Sequence, residues 1–402
     1  MRKTRWTSKK LGSLCDIILG RTPSRGNENY WGEGTSWVSI SDLKEKYISE
    51  TKEQITDIGA AQSRSRLIPR GTLLMSFKLS VGKLSFTQKD LYTNEAIAAL
   101  PIKNEYELNK HFLYYALKYI PLIGGNQAVM GQTLNKTSLS NLKIPFPRDI
   151  DDQKRIAQVL TDCEELITIR KESIVLLDEL LKSTFLEIFG DPIQMSTKKL
   201  HKFSRHINFL TSGSRGWAKF YSDKGSKFLR IQNLGFGILN EKDTQYVSPP
   251  VSAESKRTKV QEGDLLLSIT ADLGRTAVIP RSYGDAYINQ HLALIRLKKS
   301  LNPIYAAFYF AMPFGNRMIQ KKDKDGVKSG LNFTDIRNFD VFTPNLEKQE
   351  KFVEIVKGVE KTKELYQKHL TELENLYGRL SQDSFKGELD LSKVVLREGI
   401  EK

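Results

Sequence analysis

The sequence predicts an α+β protein: two globular domains in tandem pseudo-repeat, separated by two long antiparallel coiled-coil-like helices. Three observations predict it. The second half of the 402-residue chain repeats the first, the positive charge sits in two separate blocks, and two extended apolar stripes recur at helical spacing. A chain of this length exceeds what one hydrophobic core usually supports, so two domains are the natural expectation.

The repeat is read from short matched segments. Pro69-Arg-Gly71-Thr-Leu73-Leu-Met-Ser76 matches Gln261-Glu-Gly263-Asp-Leu265-Leu-Leu-Ser268, and Gly82 and Gly274 follow at the same distance. Tyr92-Thr-Asn94-Glu-Ala matches Tyr287-Ile-Asn289-Gln-His, while Leu134-Asn135, Asn141 and Pro147 match Leu331-Asn332, Asn338 and Pro344. The offset drifts only from 192 to 197, and Gln153 and Ile156 then correspond to Gln349 and Phe352.

In chain order the elements are a globular domain over 1–149, a helix over 150–190, a second domain over 191–345, a second helix over 346–386 and a tail over 387–402. Within the domains, the apolar runs Leu73 to Phe77, Leu265 to Ile269 and Leu292 to Leu297 are bounded by Gly, Pro, Asn and Asp, which predicts strands. Tyr106 to Tyr119 and Pro303 to Phe310 predict helices.

The long helices carry the clearest periodicity. Ile156, Leu160, Cys163, Ile167, Ile174, Leu177 and Leu181 follow steps of three and four, broken at Arg170. Phe352, Val356, Val359, Tyr366, Leu370, Leu373, Tyr377 and Leu380 do the same, interrupted by Lys363. Sliding one onto the other by 196 superimposes the two seams. Such a stripe needs a partner helix, and the obvious partner is the other copy; the alternative is that each helix packs into its own domain's core. At 1.5 Å per residue, about 35 helical residues would span about 50 Å, which makes them spacers.

Charge follows the same division. Residues 1–148 carry +10 and residues 196–345 carry +12, whereas residues 149–195 carry −6 and residues 346–402 carry −1. Basic surplus confined to the globular blocks is the footprint expected of a phosphate-backbone binder. Only Cys15 and Cys163 are present, which suits a reducing, cytoplasmic setting and gives neither a disulfide framework nor a metal cluster. The basic opening, Met1 to Lys10, leads into no apolar stretch long enough for a signal core or a membrane span.

The window Gly20-Arg-Thr-Pro23-Ser-Arg-Gly-Asn-Glu-Asn-Tyr30-Trp-Gly32, followed by Trp37-Val-Ser-Ile-Ser-Asp42-Leu, resembles the opening of target-recognition domains in the specificity subunits of type I restriction and modification systems. The second half departs from that form: Thr211-Ser-Gly-Ser-Arg-Gly-Trp217 and Phe228-Leu-Arg230-Ile-Gln-Asn233-Leu resemble another recognition-domain type in the same family. The Pro147 and Pro344 entries into Gln-containing long helices also resemble it, so the likeness covers nearly the whole chain. It implies a non-catalytic subunit that binds two modification (methyltransferase) subunits and, through them, restriction and translocase subunits. The implied partner is double-stranded DNA: adenine methylation would be directed to a bipartite target in it, with each domain reading one half-site. It also implies no cofactor in this chain, with S-adenosylmethionine, ATP and Mg used by the partners.

Phosphate contacts call for Arg, Lys, Ser and Thr, and base readout calls for Arg, Asn or Gln. The candidates are Arg21, Ser24, Arg25, Lys78, Ser80, Lys83 and Gln132 in the first domain, and Ser214, Arg215, Lys219, Arg275, Lys328 and Asn332 in the second. Trp31, Trp37 and Trp217 read as core aromatics. Two other classes stay in view. A methyltransferase or nuclease would need a motif the sequence does not display: Gly235-Phe-Gly237 lacks a third glycine, Ser248-Pro-Pro250 reads as a turn, and Glu254-Ser-Lys256 has no evident acidic partner. The five histidines make no zinc-type spacing. A coiled-coil scaffold would explain the helices but not the basic domains.

Overall fold

The computed structural model describes residues 6–122, 134–191, 200–321 and 330–397. The chain divides into two compact units, Met1–Lys171 with Lys368–Lys402, and Glu172–Gln367. The first long helix, Ile150–Phe189, and the second, Leu346–Lys386, each begin in one unit and end in the other. Each unit therefore holds one globular domain, the opening of that domain's own helix and the closing part of the other helix.

In the first unit a five-stranded sheet runs in the order Ile18–Leu19, Ile97–Leu100, Leu73–Ser76, Leu84–Thr87, Tyr47–Ile48. Side chains on a strand alternate between faces, so one buried sheet feeds two cores. Leu73, Met75, Phe86, Ala98 and Leu100 pack with Phe112, Leu113 and Ala116 of the helix Lys110–Tyr119. On the other face Leu74, Ile97 and Ala99 pack with Val38, Leu43, Ile48 and Leu91. A three-stranded sheet, Glu53–Ile55, Trp31–Val38, Tyr92–Thr93, and a ribbon pairing Trp6–Lys10 with Lys143–Pro147 complete the domain.

The second unit repeats this plan. Its five-stranded sheet runs Ile207–Ser212, Leu292–Leu297, Leu265–Ser268, Thr276–Val278, Phe236–Gly237. Leu265, Leu267, Ala293 and Ile295 face the core built on the helix Pro303–Ala311, and Leu266, Leu294 and Ala277 face Leu229 and Ile288. The accompanying sheet gains a strand, running Tyr221–Ser222, Gln245–Val247, Ser226–Leu229, Ala286–Ile288.

The helices do both things the sequence allowed. Their pairing is antiparallel within each unit: Tyr377 bonds Glu164 and Lys171 pairs with Glu374 in the first, while Asp178 pairs with Lys363 and Phe185 packs edge-on against Phe352 in the second. Their ends are core residues of the globular domains. Ile156, Leu160 and Phe385 lie in the first domain's core, with Tyr377 and Leu380 packed against it. Phe352, Val356 and Val359 lie in the second, with Leu181, Phe185 and Phe189 from the other helix and Leu177 at its edge. Of the remaining seam positions, Cys163 and Leu370 are buried, and Ile167, Ile174, Tyr366 and Leu373 are half-buried.

One buried glutamine fixes each helix to its domain. Gln153 donates from Nε2 to the carbonyls of Glu107 (2.9 Å) and Pro147 (3.1 Å), and its Oε1 accepts from Asn109 N at 2.9 Å. Gln349 donates to Pro344 O at 2.8 Å and accepts from Asn302 N at 2.7 Å. Asn109 and Asn302 are themselves the N-caps of the domain helices, so each glutamine satisfies backbone groups at the junction of two helices.

The first unit has a second tie. Glu164 on the long helix accepts from Tyr115 OH and Lys118 Nζ, both at 2.7 Å, and Lys46 Nζ donates to Tyr115 OH at 2.8 Å. Burial alone would raise the Glu164 carboxyl, but the bonds from Lys118 and Tyr115 and the charges of Lys118 and Lys46 outweigh it and hold it below its ordinary value.

His111, beside this cluster, supplies a pH dependence. Its ring packs 5.0 Å from Phe86, and burial, then the charges of Lys110 and Lys46, push its pKa down from 6.5 to about 4. An unfolded chain therefore takes up a proton first as pH falls. The stability contribution is present above the ordinary value and is lost as pH drops from about 6.5 through the folded value. At roughly 1.4 kcal/mol per pH unit, some 2 kcal/mol should vanish between pH 7 and pH 4.5. Urea unfolding of His111→Phe is expected to show that much less acid loss than the parent chain; equal slopes would remove His111 as the cause.

Candidate nucleic-acid interface

Three loops at one end of each five-stranded sheet are held in a hydrogen-bond frame most of whose bonds recur in both domains. The first loop follows the edge strand. Gly20 N donates to Ile97 O (3.0 Å) and Arg21 N to Thr93 O (2.8 Å); Gly213 N donates to Leu292 O (3.1 Å) and Ser214 N to Ile288 O (2.9 Å). The second loop is pinned by an asparagine. Asn94 N donates to Val38 O at 3.0 Å, and Asn289 N to Leu229 O at 3.0 Å. The Asn94 and Asn289 Oδ1 atoms accept from Ala96 N and His291 N, each at 3.1 Å. Approach of the first two loops is so close that a Cβ on Gly20 would lie 2.2 Å from Asn94 O, and one on Gly213 would lie 2.0 Å from Asn289 O. Glycine is the residue that fits there.

The third loop is the turn after the central strand. Ser76 N donates to Lys83 O and Ser268 N to Arg275 O, both at 2.9 Å. The same serine hydroxyls accept from Lys83 N and Arg275 N, again at 2.9 Å. Phe77 N donates to Ala96 O and Ile269 N to His291 O, each at 2.9 Å, which joins the third loop to the second. At the tips Leu79 and Ala271 take left-handed backbone conformations, φ 60° and 58°, and Leu79 is 82% exposed. Such conformations cost energy in non-glycine residues and recur at working surfaces.

The frame brings many of the sequence candidates together. Arg21, Ser24 and Arg25 lie on the first loop; Lys78, Ser80 and Lys83 lie on the third; Ser214 and Arg215, and Arg275, occupy the matching loops of the second domain. Arg25 is engaged: it pairs with Glu53 and lies over the Trp31 ring at 3.8 Å and the Trp37 ring at 5.0 Å. Lys83 Nζ reaches Ile40 O at 3.4 Å, and Arg275 pairs with Asp272. Lys219 is exposed beside the Phe220 ring.

Two candidates have structural occupations. Ser214 is 2% exposed and its hydroxyl bonds Thr258 Oγ1 at 3.1 Å, so that side chain faces the interior. Asn332 caps the short helix Phe333–Arg337, its Oδ1 accepting from Thr334 N and Asp335 N. Gln132 and Lys328 lie outside the described residues. Trp37 and Trp217 are buried, and the indole N–H groups of Trp31 and Trp37 hold the first loop by donating to Ser24 O and Arg21 O.

Where the first and second loops meet, sequence reasoning found Arg215 but passed over Thr22, Glu95 and Gln290. Thr22 Oγ1 donates to Glu95 in the first domain, and Arg215 Nε donates to Gln290 Oε1 at 2.9 Å in the second. The matched Asn94-Glu and Asn289-Gln pairs were the available signal. Among the described residues no group of three or more His, Cys, Asp or Glu is arranged to hold a metal ion, and no helix is long and apolar enough to cross a membrane.

Comparison with known proteins gives a consistent picture. The family model described as "Type I restriction modification DNA specificity domain" matches residues 3–178 and 224–375. The chain is 23% identical over 380 residues to the type I restriction enzyme MjaIX specificity subunit of Methanocaldococcus jannaschii, covering 87% of this chain and 86% of that protein. Among solved structures, it resembles a chain from work on complex assembly and conformational transition of the type I R-M system, with a TM-score of 0.62 and 17% identity over 96% of this chain and 98% of that one. It also resembles the type I S subunit from M. genitalium, with a TM-score of 0.53 and 18% identity over 96% of this chain and 97% of the other.

Proposed function

Because the chain belongs to the type I restriction-modification DNA specificity family, we propose that it reads an asymmetric, bipartite duplex target, one half-site per domain, for partner subunits that methylate adenine and restrict. The observation that carries this reading is the loop frame, built twice with the same backbone bonds inside two basic domains yet carrying different side chains. A protein binding DNA by charge alone has no use for two unlike copies of one loop arrangement.

The chemistry is assigned to the partners. Two modification subunits and, through them, restriction and translocase subunits would use S-adenosylmethionine, ATP and Mg, while this chain supplies recognition and spacing. Within the second unit the first long helix leaves Val175, Leu176 and Leu180 exposed, apolar area suited to other protein subunits.

The test is a domain exchange read by mapping methylated adenines in DNA from cells that carry the complete system. Replacing residues 196–345 by another recognition domain is expected to change one half-site and to preserve the other half-site and the gap. A change in both half-sites, or in neither, would refute the assignment of one domain to one half.

A further inference from the structure

The frame sets one position in each domain where two side chains from different loops meet above an identical backbone. In the first domain they are Thr22 and Glu95; in the second they are Arg215 and Gln290. The equivalence is structural. Thr22 and Arg215 each lie two residues after the tightly approached Gly20 and Gly213, and Glu95 and Gln290 each follow the pinned Asn94 and Asn289. The backbone bonds that hold the loops do not involve these four side chains.

Their chemistry is complementary in kind. Gln290 accepts from Arg215 Nε, and its own Nε2 reaches His291 Nε2 at 3.2 Å. An amide nitrogen has no lone pair to offer, so His291 Nε2 accepts, and the neutral ring then donates from Nδ1 to Thr270 Oγ1 at 2.5 Å. The result is a directed row across all three loops that braces the arginine by its Nε. Both terminal Nη groups have no partner among the described residues. A guanidinium held in this way presents its fork with little freedom left to lose, and the base edge that matches a fork is guanine, through O6 and N7.

The first domain presents the opposite. Glu95 is exposed, and as a carboxylate it can only accept. Facing a phosphate it would be repelled. The base edge that suits a lone acceptor is the exocyclic amine of cytosine. Thr22, donating to Glu95, holds the carboxylate on the loop junction.

We propose that this matched position is a base-reading position in both domains, with Arg215 braced by Gln290 taking guanine in one half-site and Glu95 held by Thr22 taking cytosine in the other. Arg215 and Glu95 touch the base; Gln290 and Thr22 are positioning residues. The inference rests on the bipartite reading above.

The experiment uses the chain assembled with its modification subunits and selects bound duplexes from a randomised library. Glu95→Gln, which keeps shape and loses charge, is expected to cut the cytosine preference at one position of one half-site by roughly 5- to 150-fold. Arg215→Lys, which keeps charge and loses the fork, is expected to relax a guanine by a similar factor in the other half-site. Gln290→Leu should weaken the same guanine preference as Arg215→Lys, a shift that a purely structural glutamine would not make at a single base. If the parent complex selects a bipartite target and neither Glu95→Gln nor Arg215→Lys alters any base preference, or if both lose binding to all DNA, this inference is overturned and the bipartite reading stands. If the parent complex itself selects no bipartite target, the function proposed above fails first.

Discussion

Replacing Phe185 by alanine is expected to destabilise the second unit by about 4 kcal/mol, the usual cost of removing a buried phenylalanine. The residue lies on the helix that begins in the first unit, yet its ring is fully buried among Phe189, Tyr305, Phe314 and Phe352. Nothing polar can refill that space, so the cavity persists and the helix end loses its anchor. The measurement is denaturant unfolding followed by hydrogen exchange, which should show lost protection in strands Leu265–Ser268 and Leu292–Leu297. Protection lost only within the helix itself would mean that the end of the helix is an appendage and not part of the domain core.

The second large effect concerns the gap in the target. One heptad added to each long helix, after Glu172 and after Gln367, keeps the apolar register and lengthens the pair by about 10 Å. At 3.4 Å per base pair the two half-sites should then be separated by about three more base pairs, with their sequences unchanged. A methylation map with the original gap would show that the helices do not set it.

The long helices were legible because their signal is local: Ile156, Leu160, Leu181, Phe352 and Val356 declare a buried face at regular spacing, and Gln153 and Gln349 mark matching starts. The strands were legible because Leu73 to Ser76 and Leu265 to Ser268 are short apolar runs between turn residues. The loop frame was only partly legible: the matched Ser76/Ser268 and Asn94/Asn289 mark its side-chain bonds, but the backbone amides and carbonyls that make most of its bonds leave no trace in side-chain pattern. Ser214 has the chemistry of a phosphate contact, but its burial depends on Thr258, 44 residues away. Arg25 reads as a free cation until Glu53 is placed beside it. Asn332 could have been recognised, because Asp335 three residues on completes a capping box.

The frame's indifference to residues 22, 95, 215 and 290 bears on how such a protein diversifies. Exchanging any of these side chains costs the loops no backbone hydrogen bond, so, with these positions reading bases as proposed, mutation there would be filtered by the sequence being read and hardly by folding. A lineage could then revise half of its address through a few point changes while the remaining half stays valid. Two such slots, altered independently, would multiply the available addresses without any new architecture.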